Sequence, residues 1–129
     1  MEHARVPRGS EPFSGFPYSN VVVAGGLVAI ASQVPFDDNH HLVGTEFGPQ
    51  AHQVLANLRR CPELAGCGLA DVIKVGGYLA RPDLFADYNH VYRQYFIPPY
   101  PARTTVACSL VVPGMLIQLD ALARRPSTP

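Results

Sequence analysis

The sequence is short of charge and has no excess of either sign. Ten basic and ten acidic residues cancel among 129, and charged residues make up 16% of the chain. Proteins that bind nucleic acid concentrate basic residues, so no nucleic-acid partner is expected here. A lightly charged surface instead leaves apolar area exposed after the monomer folds, and that area favours an oligomer.

Long apolar runs and paired cysteines are also missing. No run approaches the roughly eighteen residues that a membrane helix needs, since Gly25-Gly26 interrupts the longest, Val21–Ala31. The first residues lack the apolar core of a secretory signal, so we expect a cytoplasmic protein without membrane contact. The cysteines form no CxxC pair and are expected to be reduced thiols. They are Cys61, Cys67 and Cys108.

Specific catalytic and metal-binding motifs are absent as well. The sequence has no GxSxG, P-loop or GxGxxG motif. Four potential ligands lie close together in one turn, but their spacing matches no ligand pattern and adjacent histidines on a turn diverge. They are Asp37, Asp38, His40 and His41. We therefore expect neither a metal ion nor a cofactor.

The length predicts one domain, because 129 residues is near the commonest domain size. We expect a flexible N-terminal segment over residues 1–12, a single domain over residues 13–123 and a C-terminal tail over residues 124–129. The thirteen prolines lie mostly at the ends or at turns, so they do not indicate disorder.

Apolar periodicity and turn residues predict the element order β-β-α-β-α-β-β. The helical stretches are Gln50–Cys61, which Pro62 is expected to end or kink, and Asp83–Phe96. The predicted strands are Tyr18–Ala24, Leu27–Val34, Val72–Leu79, Thr104–Val112 and Met115–Ala123. This order favours an α+β sandwich, one sheet with both helices on one face. We expect a partner subunit to cover the other face.

Arg103 is the first candidate for a binding residue. It follows the proline-rich segment Pro98–Ala102, which is stiff and fixes where the guanidinium points. A rigidly aimed arginine at the start of a strand suits bidentate binding of a carboxylate. The alternative, which spacing alone favours, is a surface arginine that lies over the edge of the sheet.

The last predicted strand alternates between two faces, and one of them carries polar residues. Leu116, Gln118, Asp120 and Leu122 share that face, which either meets solvent or lines a site. If Pro113-Gly114 closed a simple hairpin, Arg103 would lie about 20 Å from Gln118. A site that used both residues would then need another strand order or a second subunit.

Seven stretches of this sequence, in the order in which they occur, resemble the Rid family, the reactive intermediate deaminases also called YjgF-like proteins. They are Pro17–Ser19, Ala31–Pro35, Gln53–Leu58, Asp71–Lys74, Phe85–Tyr92, Pro101–Val106 and Ile117–Ala121. The most specific is Pro101–Val106, with the sequence Pro-Ala-Arg-Thr-Thr-Val. The resemblance implies a chorismate-mutase-like α+β fold with one mixed sheet and two helices on one face.

The resemblance also implies an activity and an assembly. Rid proteins hydrolyse small 2-imino or enamine acids, such as 2-aminoacrylate, to 2-keto acids and ammonia without a cofactor. They form homotrimers with three ligand clefts between subunits. A cleft between subunits would remove the difficulty of bringing Arg103 and Gln118 together within one chain.

The family's site residues fall on several positions of this sequence. Arg103 matches the arginine that binds the substrate carboxylate, and Tyr18 matches the tyrosine of the cleft. Asn89 matches the helix asparagine, and Thr105 matches the position whose backbone N–H supports the carboxylate. The resemblance therefore implies a small carboxylate substrate.

Two departures from the family pattern fall in the expected site. Ala31-Ser32 replaces the family's Ser-Gly, and Gln118 replaces the glutamate that positions and activates the attacking water. Gln118 can orient water through its carbonyl but cannot accept a proton, and a general base commonly contributes 10²–10⁴-fold. Asp120 lies about 7 Å further along the strand, too far for a simple replacement.

Three functions remain open at this point. The leading hypothesis is an imine or enamine hydrolase with weakened or altered activity. The second is a non-hydrolytic member of the same fold, either a keto-acid binding module or a tailoring enzyme in a biosynthetic pathway. The third is RNA cleavage, a role of some relatives, which the neutral net charge disfavours.

Overall fold

The chain folds into one mixed sheet that carries two helices on one face. The computed structural model describes residues 3–6 and 15–126. The strands are β1 (His3–Val6), β2 (Val21–Ala24), β3 (Leu27–Gln33), β4 (Val72–Leu79), β5 (Ala102–Ala107) and β6 (Ile117–Arg124). The helices are α1 (Phe47–Leu64) and α2 (Phe85–Tyr92). This architecture confirms the predicted fold class.

The strand order across the sheet is β1-β2-β3-β6-β4-β5. Strands β4 and β5 are parallel, and the other neighbours are antiparallel. β6 is therefore inserted between β3 and β4 and does not pair with β5. Pro113-Gly114 accordingly does not close a simple hairpin, and the chain adopts a different strand order.

Strand β1 is an element that the sequence did not predict, because we expected residues 1–12 to be a flexible segment. It pairs with β2 and places Val6 opposite Val21. The rest of that segment and residues 127–129 of the predicted tail lie outside the described residues.

The predicted hairpin at Gly25-Gly26 is confirmed. Ala24 of β2 lies opposite Leu27 of β3, and Gly25 has a φ of 59°, in the left-handed region that glycine adopts without steric cost. β2 begins at Val21 rather than Tyr18.

Two other strands differ from their predicted bounds for reasons of pairing. β5 ends at Ala107, opposite Leu79, which is the last residue of β4. The predicted extension to Val112 was wrong because no partner strand continues beside it. β6 begins at Ile117 and not at Met115.

Both helices also differ from their predicted bounds. α1 is longer, from Phe47 to Leu64, and it includes Pro62, whose missing N–H falls in the last turn. α2 ends at Tyr92 rather than Phe96, because the amides of Gln94 and Tyr95 bond to carbonyls three residues back, which tightens the chain into turns. Among the described residues, no helix is both long enough and apolar enough to cross a membrane.

The core lies between the helices and one face of the sheet. The buried side chains of β6 are Ile117, Leu119, Ala121 and Ala123. The alternate residues are only half-buried, and they include Gln118 and Asp120. The predicted alternation of β6 is therefore confirmed, and we call the face that carries Gln118 the open face of the sheet.

Candidate functional site

Arg103 lies on the edge strand β5 and points toward helix α2. Its register partner is Val75 of β4, whose side chain is fully buried in the core beneath the helices. Paired residues of neighbouring strands face the same side of a sheet, so Arg103 is on the helix face. Its Nη2 donates a hydrogen bond to Asn89 Oδ1 at 2.7 Å, which brings two of the predicted site residues together.

Two buried tyrosine rings of the same helix also contact the guanidinium. Arg103 Cζ lies 4.7 Å from the ring centroid of Tyr88 and 4.8 Å from that of Tyr92, distances typical of cation–π contacts. The Tyr92 ring stacks on Phe96 with centroids 4.5 Å apart. Gly77 makes room for Tyr88, because a Cβ at that position would lie 2.8 Å from the Tyr88 hydroxyl. Arg103 is therefore half-buried and held by these contacts, and it is not a surface arginine that lies over the edge of the sheet.

Burial also sets the charge of these tyrosines. It raises the pKa of Tyr92 to about 12, against a smaller opposing effect of the Arg103 charge. Burial raises the pKa of Tyr88 as well, again against Arg103. Both phenols are therefore neutral near pH 7 and add no negative charge beside the Arg103 guanidinium.

The guanidinium lines a cavity of about 170 Å³, which we call the arginine cavity. Its lining residues are Asn89, Tyr92, Arg93, Tyr100, Pro101 and Arg103. Arg93 was missed by the sequence analysis, although it follows Asn89 by four residues and so shares a helix face with it. Thr105 lies two residues beyond Arg103 on the same face of β5 but does not line this cavity.

A second cavity, of about 370 Å³, lies on the open face and contains the other predicted residues. We call it the glutamine cavity. Its lining residues are Phe16, Tyr18, Ala31, Ser32, Val34, Val111, Val112, Met115 and Gln118. The structure thus brings Tyr18, Ala31, Ser32 and Gln118 together. The apolar residues that form most of the wall were not predicted, because no local pattern distinguishes them from core residues.

A β-bulge aims Ser32 at Gln118. Ile30 lies opposite Ala121 and Gln33 opposite Leu119, so β3 has one residue more than β6 across this interval. The Gln118 amide nitrogen donates a hydrogen bond to Ser32 Oγ at 3.3 Å. The two departures from the Rid pattern are therefore in contact with each other.

Buried amides hold the bulge in place. Gln33 Nε2 donates to Ala31 O at 3.0 Å and to Asn20 Oδ1 at 2.8 Å. The Ala31 amide in turn donates to Asn20 O at 2.9 Å. Since Gln33 and Asn20 are both buried, these bonds are shielded from water and link the segment after Tyr18 to the bulge.

Asp120 does not serve the glutamine cavity. It accepts a hydrogen bond from the Tyr78 hydroxyl at 2.9 Å, and this bond raises the pKa of Tyr78. Gly76 lies opposite Asp120 and leaves room for the carboxylate, which a Cβ there would meet. The carboxylate is thus engaged elsewhere on the open face and does not replace the missing acid at position 118.

The two cavities do not meet within one chain. Arg103 pairs with Val75 and Gln118 pairs with Tyr78, so the two sites are three residues apart along β4 and two strand spacings apart across the sheet. These offsets separate their Cα atoms by about 14 Å, and the side chains leave opposite faces. Among the described residues, no group of three metal-ligating side chains occurs.

Comparison with known proteins places the chain in a family. The sequence profile of the family described as Endoribonuclease L-PSP matches residues 9–125. The chain belongs to this family, which is the YjgF/RidA family. A RutC family protein of Pyrococcus horikoshii is 40% identical over 108 residues, which cover 83% of this chain and 86% of that protein.

Two further relatives connect the family to a named reaction and to a solved fold. The human 2-iminobutanoate/2-iminopropanoate deaminase is 31% identical over 108 residues, which cover 83% of this chain and 79% of the human protein. The crystal structure of RidA from the Antarctic bacterium Psychrobacter matches with a TM-score of 0.86 at 30% identity. That match covers 94% of this chain and 98% of the Psychrobacter chain.

Proposed function

We propose that this protein hydrolyses small 2-imino or enamine acids to 2-keto acids and ammonia. The observation that carries the proposal is the Arg103 guanidinium, which Asn89 and two tyrosine rings hold at the arginine cavity. A fixed planar guanidinium is suited to bidentate binding of a carboxylate. The name of the human relative, a deaminase of 2-imino acids, supports this substrate class.

The proposed cleft lies between subunits of a homotrimer. Arg103 and Gln118 belong to different cavities on opposite faces of the sheet, so a cleft that uses both needs a second copy of the chain. Large apolar side chains around the glutamine cavity support such a contact, since Phe16 is 58% exposed and Val111 is 93% exposed. The arginine cavity of one subunit would then face the glutamine cavity of its neighbour.

The chemistry needs a water molecule and two proton transfers. The water oxygen bonds to the imine carbon while one water proton passes to the imine nitrogen. The second water proton then passes from the new hydroxyl to the nitrogen as the C–N bond breaks, which releases ammonia and leaves the C=O bond of the keto acid. The carbonyl of Gln118 accepts a hydrogen bond from the water and orients it. Because an amide does not take up the proton, the proton passes to the imine nitrogen itself, and the step is slower than with a carboxylate base.

A non-hydrolytic carboxylate-binding protein is the second candidate. The amide at position 118 favours it, because Asp120 is bonded to Tyr78 and supplies no base to the cavity. Binding of a 2-keto acid without faster imine hydrolysis separates this candidate from the first.

The Arg103→Ala variant tests the proposal. An amino-acid oxidase generates fresh imines, semicarbazide traps them, and the wild type is expected to lower the semicarbazone yield while the variant does not. Calorimetry with 2-oxobutanoate should show affinity weakened by roughly 10- to 100-fold, the range for a hydrogen bond to a charged group. Arg81→Ala, which removes an exposed arginine paired with Asp83, is the matched control. Unchanged binding and hydrolysis in Arg103→Ala contradict the proposed site.

A further inference from the structure

The arginine cavity has a second cationic residue. Arg93 follows the last residue of α2, lines the cavity together with Arg103, and lies one helical turn from the Asn89 amide that holds Arg103. Its side chain is exposed, and within residues 15–126 it forms no ion pair with a carboxylate. Its charge is therefore available to a ligand in this cavity.

Within residues 15–126, no acidic residue lines a cavity beside these two arginines. Neither cavity has an aspartate or glutamate in its lining, among the residues that the structure describes. The residue at position 118 is a neutral amide, and Asp120 is bonded to Tyr78 outside both cavities. A cleft made from the two cavities therefore presents two positive charges and no negative one. A ligand with a single carboxylate neutralises only one of them.

We propose that Arg93 is a specificity-determining residue that binds a second carboxylate, so that the preferred ligands are 2-imino and 2-keto dicarboxylic acids. The inference rests on the proposed function, in which Arg103 binds the carboxylate next to the reacting carbon. Arg93 binds the distal carboxylate of the same ligand. The arginine cavity, at about 170 Å³, has room for several water molecules, and both Arg93 and Arg103 line it.

The alternative is that Arg93 only stabilises the C-terminus of helix α2. A cation at a helix C-terminus interacts favourably with the macrodipole, and that role has no effect on which ligand binds. A ligand pair that differs in the distal charge separates the two roles. 2-Oxoglutarate and 2-oxopentanoate have the same number of carbons, but only the first has a distal carboxylate.

Calorimetry with these two keto acids on the wild type and on Arg93→Gln tests the inference. The wild type should bind 2-oxoglutarate more tightly than 2-oxopentanoate. Arg93→Gln should weaken the affinity for 2-oxoglutarate about fivefold and the affinity for 2-oxopentanoate less than twofold, because it removes an exposed charge contact. Arg59→Gln removes an exposed arginine that lies over Tyr95, outside the cavity, and should change neither affinity more than twofold.

The outcomes separate this inference from the proposed function. The specificity role is overturned if Arg93→Gln loses affinity equally for both ligands, or loses none for 2-oxoglutarate. Either result leaves carboxylate binding by Arg103 intact. Undiminished binding of 2-oxopentanoate in Arg103→Ala contradicts the proposed site itself. Wild-type protein that binds neither keto acid overturns both.

Discussion

Arg103 is preorganised before any ligand arrives. Asn89 Oδ1 accepts a hydrogen bond from one nitrogen of its guanidinium, and the rings of Tyr88 and Tyr92 pack against the guanidinium carbon. A long side chain normally loses conformational entropy when it binds a ligand, and that loss costs about 0.5–1.5 kcal/mol per residue. Here much of the loss occurs on folding, so a carboxylate meets an arginine that is already ordered.

Under the proposed function, Gln118 is the residue that decides between hydrolysis and binding. In Gln118→Glu the carboxylate keeps a partner, because Ser32 Oγ, which now accepts from the amide, can donate to it instead. The variant should hydrolyse imino acids at least tenfold faster than the wild type, which corresponds to about 1.4 kcal/mol of the barrier and is below the usual effect of a positioned base. The semicarbazide assay measures this gain.

The control for this change is Gln118→Met, which has a similar length and neither base nor strong acceptor. It should be slower than the wild type and should bind 2-keto acids normally, because Arg103 holds the carboxylate. A folded Gln118→Glu protein with no gain over the wild type contradicts the hydrolase hypothesis and favours the binding module.

Among the secondary-structure elements, helix α2 positions residues of the arginine cavity and the bulge in β3 positions residues of the glutamine cavity. Helix α2 presents Tyr88, Asn89 and Tyr92 to the strand that carries Arg103, because Tyr92 lies four residues after Tyr88 and three after Asn89, and such positions are neighbours on a helix surface. The bulge in β3 turns Ser32 toward Gln118, and the buried amide of Gln33 holds it there. Both devices depend on contacts between segments far apart in the sequence.

The buried tyrosines of α2 predict a loss of stability at high pH. An unfolded tyrosine has a pKa near 10, whereas burial raises the pKa of Tyr92 to about 12. As pH rises from about 10 to 12, the unfolded chain releases this proton before the folded chain does, so the free energy of unfolding falls by up to about 1.4 kcal/mol per pH unit for each such group. Below pH 10 the contribution of the neutral tyrosine to the free energy of unfolding is fully present.

Urea unfolding at pH 8 and pH 11, at one chain concentration, measures this loss. Tyr92→Phe should reduce it, and the replacement itself should cost little because the Tyr92 hydroxyl is buried without a hydrogen-bond partner among the described residues. If the free energy of unfolding falls equally in the wild type and in Tyr92→Phe between pH 8 and pH 11, titratable groups other than Tyr92 cause the fall.

The sequence predicted local features well and long-range order poorly. The Gly25-Gly26 hairpin and the two faces of β6 depend on turn chemistry and on a period of two, which are visible in a single stretch. The insertion of β6 between β3 and β4 depends on pairing across the whole chain, and no local pattern encodes it. Arg93 was missed for a related reason, since an exposed arginine late in a helix has an ordinary structural explanation.

At the scale of the molecule, the distribution of the site over two faces of one sheet is the central observation. In the proposed function, the arginine cavity holds the group that binds a carboxylate, and the glutamine cavity holds the group that orients water. A trimer in which these cavities face each other accounts for both, and it also covers the exposed apolar side chains around Phe16 and Val111. Light scattering should give three times the chain mass of 14.0 kDa.

Subunit complementation tests whether the cleft is shared between subunits. Arg103→Ala and Gln118→Ala are each expected to lose imine hydrolysis. When equal amounts are unfolded together and refolded into mixed trimers, about a quarter of the clefts should combine an intact Arg103 from one subunit with an intact Gln118 from its neighbour. Hydrolysis is then expected to return to about that fraction of the wild-type rate. Mixed trimers, verified by mass, that remain inactive contradict a cleft shared between subunits.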